Sequence, residues 1–566
     1  MTPPPIEIFA APAASRKPLN ATTLALLAAL WIASVCNWPL WRALLALPEM
    51  HTPRGALFIV SFGLMIAALT TALLSLLAWR HTIKPAIAVF VLSAALGAHF
   101  MGSYGVVIDP TMMVNVLHTD ARETRDLLGP RMLASVAFLA VLPMLLLWRV
   151  RVQRVGVGRQ LLRNALVMVA CVVLLAALAA LSFASLSSTM RNHKSLRYMI
   201  NPINSFYSLV RVAFEANALP QGPPVAIGKD ATLLPRPPGA KPPLLMLMVG
   251  ETARSDHFSL NGYARPTNAE TSALGVISFR DVTSCGTNTA ASLPCMFSHL
   301  GREGYVGRVA EHENLLDLLQ HAGLAVLWLD NQSGCKGLCE RVPNAFARDA
   351  PPGTAHAEGL CSDGECLDEA LLTGLDARLA ALPVEQRARG VVLVLHQMGS
   401  HGPAYFKRAP LQRKPFVPEC TTNVLQQCEH QQLINAYDNS IAYTDHVLAK
   451  AIAWLSRQGA AHDPALLYVS DHGESLGENN LYLHGLPYAL APREQKHVPM
   501  VLWVPPPSAT DTTNSIATAA LVTCLRGRLD VPLTHDNLFH SVMGLVGVRS
   551  AEYQAALDAL QPCRPR

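Results

Sequence analysis

The chain has 566 residues, of which 51% are apolar and only 15% are charged, and its formal net charge is +5. The apolar residues are concentrated in the first third of the chain, which excludes an ordinary soluble protein, and we expect no nucleic-acid partner. Five runs of 17 to 27 residues lack Asp, Glu, Lys and Arg: 18–41, 55–79, 85–108, 132–148 and 164–190. Because a spanning helix needs roughly 20 apolar residues, the sequence predicts a membrane domain of five transmembrane helices over residues 1–190, with no removable signal peptide.

The basic residues outside these runs predict the orientation of the membrane domain. Lys and Arg are enriched in cytoplasmic segments, and here they mark the N-terminal tail, the second loop and the fourth loop. With five spans, everything after about residue 190 then lies outside, in the periplasm of a bacterium with two membranes. The chain is therefore predicted to be a multi-pass inner-membrane protein. The residues concerned are Arg16, Lys17, Arg80, Lys84, Arg149, Arg151, Arg154, Arg159 and Arg163.

The loop after the third span contains a polar stripe. If a helix begins after Pro110, Asn115, Thr119 and Glu123 are spaced i, i+4 and i+8 and share one face. Such a stripe at the membrane surface could hold a lipid headgroup, with Glu123 facing an ammonium group. An ordinary solvated face is the alternative on spacing alone.

Two segments separate the spans from the soluble domain. Residues 191–216 have the amphipathic pattern of one or two interfacial helices, broken at Pro202. Residues 220–243 contain eight prolines and predict an extended linker. We therefore divide the chain into a membrane domain (1–190), interfacial helices with a Pro-rich linker (191–243) and a periplasmic catalytic domain (244–566).

Within the last domain, helical and strand-like segments alternate, which predicts an α/β fold with a mainly parallel sheet wrapped by helices. The predicted helices include Leu315–Ala322 and Leu367–Leu382, and the predicted strands include Leu324–Leu329, Val391–His396, Leu466–Ser470 and Val498–Trp503.

Cysteine usage supports an oxidising compartment, because ten of the twelve cysteines lie after residue 280. Close pairs predict disulfides rather than zinc knuckles, whose spacings differ. The predicted pairs are Cys285–Cys295, Cys335–Cys339, Cys361–Cys366 and Cys420–Cys428, with Cys524 and Cys563 as the remainder.

Ionisable residues follow two apolar runs of strand length. Glu251 follows one run, and Asp471 with His472 follows the other. Sites in open α/β sheets collect at the carboxyl ends of strands. Between them, residues 284–295 place small hydroxyl residues at a predicted strand-to-helix turn, where Thr287 and Thr289 are both available. Glu251, Thr289, Asp471 and His472 would form a set of oxygen and nitrogen ligands suited to zinc.

Six motifs occur in an order that resembles the lipid A phosphoethanolamine transferases, which include the plasmid-borne colistin-resistance enzymes. The resemblance covers nearly the whole chain and implies a catalytic domain of the alkaline phosphatase or sulfatase-like fold. The motifs are Gly250-Glu251-Thr252-Ala253-Arg254, Ser284-Cys285-Gly286-Thr287 through Cys295, Ser333-Gly334-Cys335-Lys336-Gly337, Gly399-Ser400-His401-Gly402-Pro403, Ser470-Asp471-His472-Gly473-Glu474 and Tyr482-Leu483-His484-Gly485.

The resemblance also implies roles for individual residues. Thr289 is implied as the nucleophile in preference to Thr287. One Zn²⁺ ion is implied at the site, and a second Zn²⁺ ion is an open alternative. Gln332 stands where close relatives are expected to have Asn. His401 and His484 could bind the substrate phosphate, act as acid or base, or hold a second zinc ion. The other implied substrate-binding residues are Asn115, Thr119 and Glu123 for the lipid donor and Asn331 and Lys336 for the phosphoethanolamine group; His396, Glu474 and His497 are candidates for supporting positions.

The implied activity is transfer of phosphoethanolamine from phosphatidylethanolamine to lipid A by a monomeric zinc enzyme, with release of diacylglycerol and resistance to polymyxins. Alternatives are transfer to lipopolysaccharide core sugars and a related phosphodiesterase or glycerol-phosphate transferase. A sulfatase is disfavoured because residues 285–289 lack the Pro and Arg of its C/S-x-P-x-R motif. An inactive membrane sensor is disfavoured by the intact ligand set.

Overall fold

The computed structural model describes residues 18–119, 121–218, 222–349, 359–362, 364–506 and 519–564, without the side chains of 121–123 and 215–218. Two compact units are present. Unit 1 comprises Met1–Gly102 and Pro130–Phe206, and unit 2 comprises Ser103–Gly129 and Tyr207–Arg566. The loop after the third predicted span therefore belongs to the same unit as the α/β domain. Arg16 and Lys17 lie outside the described residues.

The first part of the chain is helical. Four helical stretches are long and apolar enough to cross a membrane: Pro53–Leu76, Ile83–Tyr104, Pro130–Arg149 and Val157–Leu181. Ala21–Ser34 and Trp38–Leu45 meet at a 44° bend and make a fifth span if they are counted together, so the five predicted runs coincide with these segments. The helices are α1 (Ala21–Ser34), α2 (Trp38–Leu45), α3 (Pro53–Leu76), α4 (Ile83–Tyr104), α5 (Pro110–His118), α6 (Ala121–Leu127), α7 (Pro130–Val136), α8 (Leu142–Arg149, joined to α7 by a π-helical turn), α9 (Val157–Leu181), α10 (Phe183–Asn192) and α11 (Ile203–Ala218).

The loop between α4 and α7 differs from the sequence prediction. Asp109 caps α5 by accepting a hydrogen bond from the Met112 backbone, and Pro110 occupies the first turn, where its missing N–H costs nothing. Helix α5 ends at His118 because Thr119 is extended (φ −67°, ψ 129°). A single continuous helix carrying Asn115, Thr119 and Glu123 was therefore wrong, since Glu123 falls in α6, and its side chain lies outside the described residues.

Unit 2 is built on an eight-stranded sheet in the order β13-β3-β12-β9-β2-β8-β4-β5. Only β12 is antiparallel to its neighbours, so the carboxyl ends of the other seven strands lie at one edge. This confirms the mainly parallel sheet. The strands are β1 (Thr232–Leu233), β2 (Pro243–Gly250), β3 (Ile277–Thr283), β4 (Ala325–Asp330), β5 (Asn344–Phe346), β6 (Cys361–Ser362), β7 (Glu365–Cys366), β8 (Val391–His396), β9 (Asp463–Ser470), β10 (Ser475–Leu476), β11 (Tyr482–Leu483), β12 (His497–Trp503), β13 (Leu533–Thr534) and β14 (Val548–Arg549).

Helices cover both faces of this sheet, which explains why β2 is an uninterrupted apolar run. Leu245 and Leu247 pack into the core on one face, and Met246 and Met248 pack into the core on the other. Fully burying one such side chain contributes roughly 1.5–3 kcal/mol. The helices are α12 (Ala269–Ser272), α13 (Thr289–Met296), α14 (Gly301–Val306), α15 (Leu315–His321), α16 (Leu375–Ala381), α17 (Val384–Arg389), α18 (His430–Gln458), α19 (Ala519–Arg526) and α20 (Asp536–Val546).

Two connecting segments depart from their predicted form. The predicted helix Leu367–Leu382 is interrupted, because Gly374 has a φ of +69° and separates a 3-10 turn from α16. The Pro-rich linker is extended but docked: Ile227 is buried, and β1 pairs with β14. The break in the amphipathic segment falls at Pro202, as predicted, because α11 begins at Ile203.

The disulfide pairs agree with the sequence prediction. The bonded pairs are Cys285–Cys295, Cys335–Cys339, Cys361–Cys366, Cys420–Cys428 and Cys524–Cys563. Among the described residues, the free cysteines are Cys36 and Cys171, both in membrane helices or beside them.

Candidate active site

The candidate site lies at the carboxyl edge of the sheet, where β2 and β9 end side by side. The two strands are parallel neighbours, with Gly250 opposite Ser470. Glu251, Asp471 and His472 follow directly, all three are fully buried, and a ligand atom from each lies within 4.8 Å of the others. Residues about 220 positions apart in the sequence thus form one cluster because their strands pair.

Thr289 reaches the same cluster from the start of α13. Asn288 caps this helix by accepting a hydrogen bond from the Ala291 backbone, and Thr289 is the first helical residue. The Thr289 Oγ1 atom lies 3.1 and 3.2 Å from the two Glu251 carboxylate oxygens and 3.5 Å from His472 Nε2. Thr287 instead donates to the Leu486 carbonyl at 2.6 Å. Only Thr289 of the two candidate threonines therefore has its hydroxyl in the cluster.

The turn before α13 is tightly built. A Cβ atom on Gly286 would lie 2.7 Å from the Ser292 backbone nitrogen, so a side chain cannot be accommodated there without a shift. The disulfide between Cys285 and Cys295 joins the turn to the far end of the helix. These features hold Thr289 in place, and its position at a helix start adds unpaired N–H groups that attract anionic oxygens.

The donor set fits a divalent cation. Asp471 Oδ2 is buried without a hydrogen-bond partner among the described residues, while Asp471 Oδ1 accepts from the Thr252 and His472 backbones. His472 Nδ1 lies 2.9 Å from the Gly473 carbonyl, which places a proton on Nδ1. In the neutral ring, the form that binds a metal, the Nε2 lone pair then faces the cluster. Two carboxylates, an imidazole and a hydroxyl are ligand types that zinc binds.

The electrostatics of the cluster also favour a cation. Burial raises the pKa of Asp471, and the nearby Glu251 carboxylate adds to the effect, to about 7. Burial alone would lower the pKa of His472, but the carboxylates of Asp471 and Glu251 outweigh it and raise that pKa to about 10. Burying two neighbouring carboxylates costs free energy, because both lose their hydration and repel each other. A bound cation offsets that cost.

His401 and His484 lie beside the cluster. The ring centroids of His472 and His484 are 4.3 Å apart, and those of His484 and His401 are 5.6 Å apart. His484 Nδ1 is 3.2 Å from Glu474 Oε1, and Glu474 also accepts from the Tyr405 hydroxyl at 3.0 Å. Glu474 is therefore a supporting residue that orients His484.

The residues expected near the phosphoethanolamine group have different hydrogen-bond partners. Lys336 Nζ donates to Ser333 Oγ at 2.7 Å. The Asn331 amide nitrogen donates to the Cys366 carbonyl and to Asp368 at 2.9 and 2.8 Å, so it holds protein groups together. Gln332 brings its amide nitrogen within 3.2 Å of Glu251 Oε2. The Gln332 side-chain amide therefore contacts Glu251, one of the candidate metal ligands.

The two remaining histidine candidates have separate environments. His396 is fully buried, and its Nδ1 lies 2.9 Å from Asp330 Oδ2 at the end of the neighbouring strand. His497 lies 2.7 Å from the Arg280 carbonyl through Nε2. His396 is therefore part of the buried sheet edge, whereas His497 contacts Arg280 of β3 and the Arg493 side chain, outside the cluster.

Comparisons with known proteins agree with this geometry. The sulfatase family model matches residues 243–548, and the model described as phosphoethanolamine transferase EptA/EptB matches residues 66–216. Phosphoethanolamine transferase EptA of Salmonella typhimurium is 39% identical over 552 residues, covering 95% of this chain and 96% of that protein. The chain belongs to the phosphoethanolamine transferase family. Phosphatidylethanolamine transferase Mcr-1 of Escherichia coli is 41% identical over 498 residues, covering 87% of both chains.

The structure of the integral membrane protein lipooligosaccharide phosphoethanolamine transferase A (EptA) from Neisseria meningitidis is similar across both units. It has a TM-score of 0.89 and 31% sequence identity, covering 97% of this chain and all of that one. These findings confirm the family resemblance, the combination of membrane helices with a sulfatase-like α/β domain, and an enzymatic role. The protein is an integral membrane phosphoethanolamine transferase with a periplasmic catalytic domain.

The sequence interpretation of this phosphoethanolamine transferase missed two residues that support the site. His535 is fully buried; its Nδ1 accepts from the Cys285 backbone at 3.1 Å, and its Nε2 lies 3.0 Å from the Ser470 carbonyl. Asp368 accepts from the Met398 and Gly399 backbones at 2.7 and 2.8 Å. His535 follows a two-residue strand and Asp368 lies in a 3-10 turn, so neither had a periodic pattern that could have revealed it.

Proposed function

We propose that this enzyme transfers phosphoethanolamine from phosphatidylethanolamine to lipid A through a covalent phosphothreonine at Thr289. The observation that carries the proposal is the contact of Thr289 Oγ1 with Glu251, beside Asp471 and His472, at the start of a helix. A relative with 41% identity is named for the donor, phosphatidylethanolamine. Two successive displacements let two bulky lipids use one site in turn.

In the first displacement, Thr289 Oγ1 attacks the phosphorus of the donor, and the bond from phosphorus to the diacylglycerol oxygen breaks. Glu251 accepts the hydrogen bond of the Thr289 hydroxyl and is placed to receive its proton. The diacylglycerol oxygen needs a proton as it leaves, and His401 and His484 are the nearby groups that can donate one. Zinc held by Glu251, Asp471 and His472 would supply positive charge that favours the ionised hydroxyl.

In the second displacement, a phosphate oxygen of lipid A attacks the phosphothreonine, the bond to Thr289 Oγ1 breaks, and that oxygen takes back the proton held by Glu251. The proton of the attacking phosphate group passes to the histidine that protonated diacylglycerol, which restores the starting state. Thr289 is the first residue of α13, and the N-terminus of a helix favours the negative charge that develops on the phosphoryl oxygens. The product carries an added ammonium group beside a lipid A phosphate. We propose that the lower negative charge weakens the binding of cationic polymyxins and so gives resistance.

The donor headgroup is proposed to lie against the loop that contains α5. Helix α5 packs against α13, and Met112 approaches Gly485 beside His484. Asn115, Thr119 and Glu123 follow on this loop, where a carboxylate can face the donor ammonium. Glu123→Ala should reduce transfer from membrane-embedded donor about tenfold. Full activity of this variant in vesicles would exclude a role of Glu123 in donor binding.

The function is tested by mass spectrometry of lipid A from cells with and without the protein. We expect one added phosphoethanolamine per modified phosphate with the wild-type chain and none with Thr289→Ala. Thr287→Ala is the matched control, because that hydroxyl is bonded to Leu486 and should not carry the phosphoryl group. Modification found on the core sugars would replace the acceptor in this proposal, and full activity of Thr289→Ala would exclude the mechanism.

A further inference from the structure

Asp126, Lys407 and Arg408 form an ion cluster, here called the Asp126 clamp, within unit 2; Asp126 and Arg408 are buried, whereas Lys407 is exposed. Asp126 lies on α6, in the loop between α4 and α7, and is 4% exposed. Its carboxylate accepts from Arg408 Nη2 at 2.9 Å and from Lys407 Nζ. The Asp126 carbonyl also accepts from the Asn423 side chain. The clamp therefore fastens α6 to the segment that follows His401.

Arg408 links this ion cluster to an active-site residue. While one arm of its guanidinium group binds Asp126, its Nε donates to the His401 carbonyl at 2.9 Å. A third nitrogen lies 3.8 Å from Glu365. Because the guanidinium group is planar and rigid, Arg408 connects the Asp126 carboxylate to the His401 main chain through one rigid group. Lys407 has no such second contact among the described residues, since its ammonium faces Asp126.

The neighbours of His401 explain why this position matters. The Ser400 backbone donates to the Glu251 carbonyl at 3.0 Å, and the His401 ring lies 5.6 Å from that of His484. A shift of the His401 segment would move a proton donor relative to the reacting phosphorus. Misplacement by about 1 Å can cost about a hundredfold in rate.

We propose that the Asp126 clamp couples the loop that receives the lipid donor to the position of His401, with Asp126 and Arg408 as positioning residues. The inference rests on the proposed function, because it assigns the donor headgroup to the loop and proton donation to His401. The loop carries the donor residues, the clamp fixes its α6 end on unit 2, and Arg408 transmits that placement to His401. Breaking a buried ion pair on one side leaves an unpaired charge, so the link is strong.

Two conservative variants test the two contacts of Arg408 separately: the hydrogen bond to the His401 carbonyl and the ion pair with Asp126. Arg408→Lys keeps a cation for Asp126 but removes the Nε donor to His401. Asp126→Asn keeps the shape and the Arg408–His401 hydrogen bond but removes the charge that anchors the loop. Arg413→Lys is the matched control, because the pair of Arg413 with Glu270 is exposed and lies outside the clamp.

The experiment uses the full chain in vesicles of phosphatidylethanolamine and lipid A, with a short-chain soluble phosphatidylethanolamine as a second donor. We expect Arg408→Lys to lower kcat by about ten- to a hundredfold for both donors with little change in KM. Asp126→Asn should lower kcat severalfold for both donors, because Arg408 loses its anionic anchor. It should also raise KM about tenfold for the vesicle donor and much less for the soluble donor. Arg413→Lys should match the wild type in both parameters.

The outcomes distinguish this inference from the proposed function. If both clamp variants stay within twofold of the wild type for both donors, the coupling is excluded while the transfer reaction stands. An inactive wild-type chain in the same vesicles would instead exclude the proposed function. Thermal unfolding of each variant in detergent identifies a folding defect. If Asp126→Asn unfolds early and its KM for the vesicle donor stays at the wild-type value, its effect is one of general stability and the coupling is contradicted.

Discussion

Thr287 and Thr289 are two positions apart, yet the fold gives their hydroxyl groups different partners. Thr287 donates to a backbone carbonyl, whereas Thr289 begins α13 and contacts Glu251. The change from extended backbone at the Asn288 cap to helix at Thr289 turns successive side chains in different directions. Residue type alone could not separate the two threonines; the start of the helix does.

We expect the candidate metal ligands to contribute unequally to metal binding. Asp471→Asn and His472→Gln should each lose bound zinc, because only two carboxylate or imidazole ligands then remain beside the neutral Thr289 hydroxyl. Thr289→Ala should retain zinc on Glu251, Asp471 and His472 while losing transfer. Zinc per protein after dialysis, measured by plasma mass spectrometry, checks this, with Thr287→Ala as the control. Loss of zinc from Thr289→Ala but not from Asp471→Asn would contradict the assigned ligand set.

His535 predicts a pH dependence of stability. Burial lowers the pKa of His535 to about 3, with the Ser470 carbonyl acting in the opposite direction. Its unfolded pKa is near 6.5, so between these values the unfolded state binds more protons and stability falls as the pH falls. The contribution is fully present above pH 6.5 and is lost progressively toward pH 3.

Replacing His535 with Gln should therefore flatten the slope of unfolding free energy against pH between about 6.5 and 3. Urea unfolding of the detergent-solubilised chain, followed by fluorescence over this range, measures the slope. His321→Gln is the control, because that histidine pairs with Glu313 on the surface side of α15. An unchanged slope in His535→Gln would place the acid sensitivity elsewhere.

At the scale of elements, the sequence predicted where strands lie better than which strands pair with one another. The apolar runs of β2 and β9 were evident because both strands are buried on both faces, and their carboxyl ends indicated Glu251 and Asp471. The pairing of Gly250 with Ser470 depends on the whole sheet order and had no local signal. For the same reason, the contact of Gln332 with Glu251 and the support from His535 could not be predicted.

The turn into α13 provides a test of how one element positions the nucleophile. Removing the Cys285–Cys295 disulfide by double substitution with Ser should lower the unfolding free energy by about 2–4 kcal/mol and reduce transfer strongly. The Cys420–Cys428 pair is the matched control, because its sequence separation of 8 is close to the 10 of the first pair. Its removal should cost similar stability but much less activity.

Urea unfolding and lipid A mass spectrometry of both double variants provide the two measurements. The comparison separates the effect on the position of Thr289 from the effect on the unfolding free energy, because closing loops of similar length costs similar chain entropy. Equal losses of activity in the two variants would show that the first disulfide acts only through general stability.

At the scale of the whole molecule, the two compact units do not correspond to two continuous stretches of sequence. The sequence placed the loop between α4 and α7 with the membrane domain, because it connects two predicted spans. In the structure, Ser103–Gly129 belongs to the catalytic unit, and its α5 packs against α13. Ion pairs such as that between Asp126 and Arg408 are made between residues about 280 positions apart, so composition and periodicity could not reveal them.

The orientation of the whole chain is the last prediction. The Lys and Arg of the fourth loop, between α8 and α9, should hold that loop in the cytoplasm. After one more span, the catalytic unit then lies in the periplasm, where its five disulfides can form. An alkaline phosphatase reporter fused after Arg566 should be active, whereas the same reporter fused at Arg154 should be inactive. A cytoplasmic reporter gives the reciprocal control. Activity of the cytoplasmic reporter at Arg566 would contradict both the orientation and the compartment in which the disulfides form.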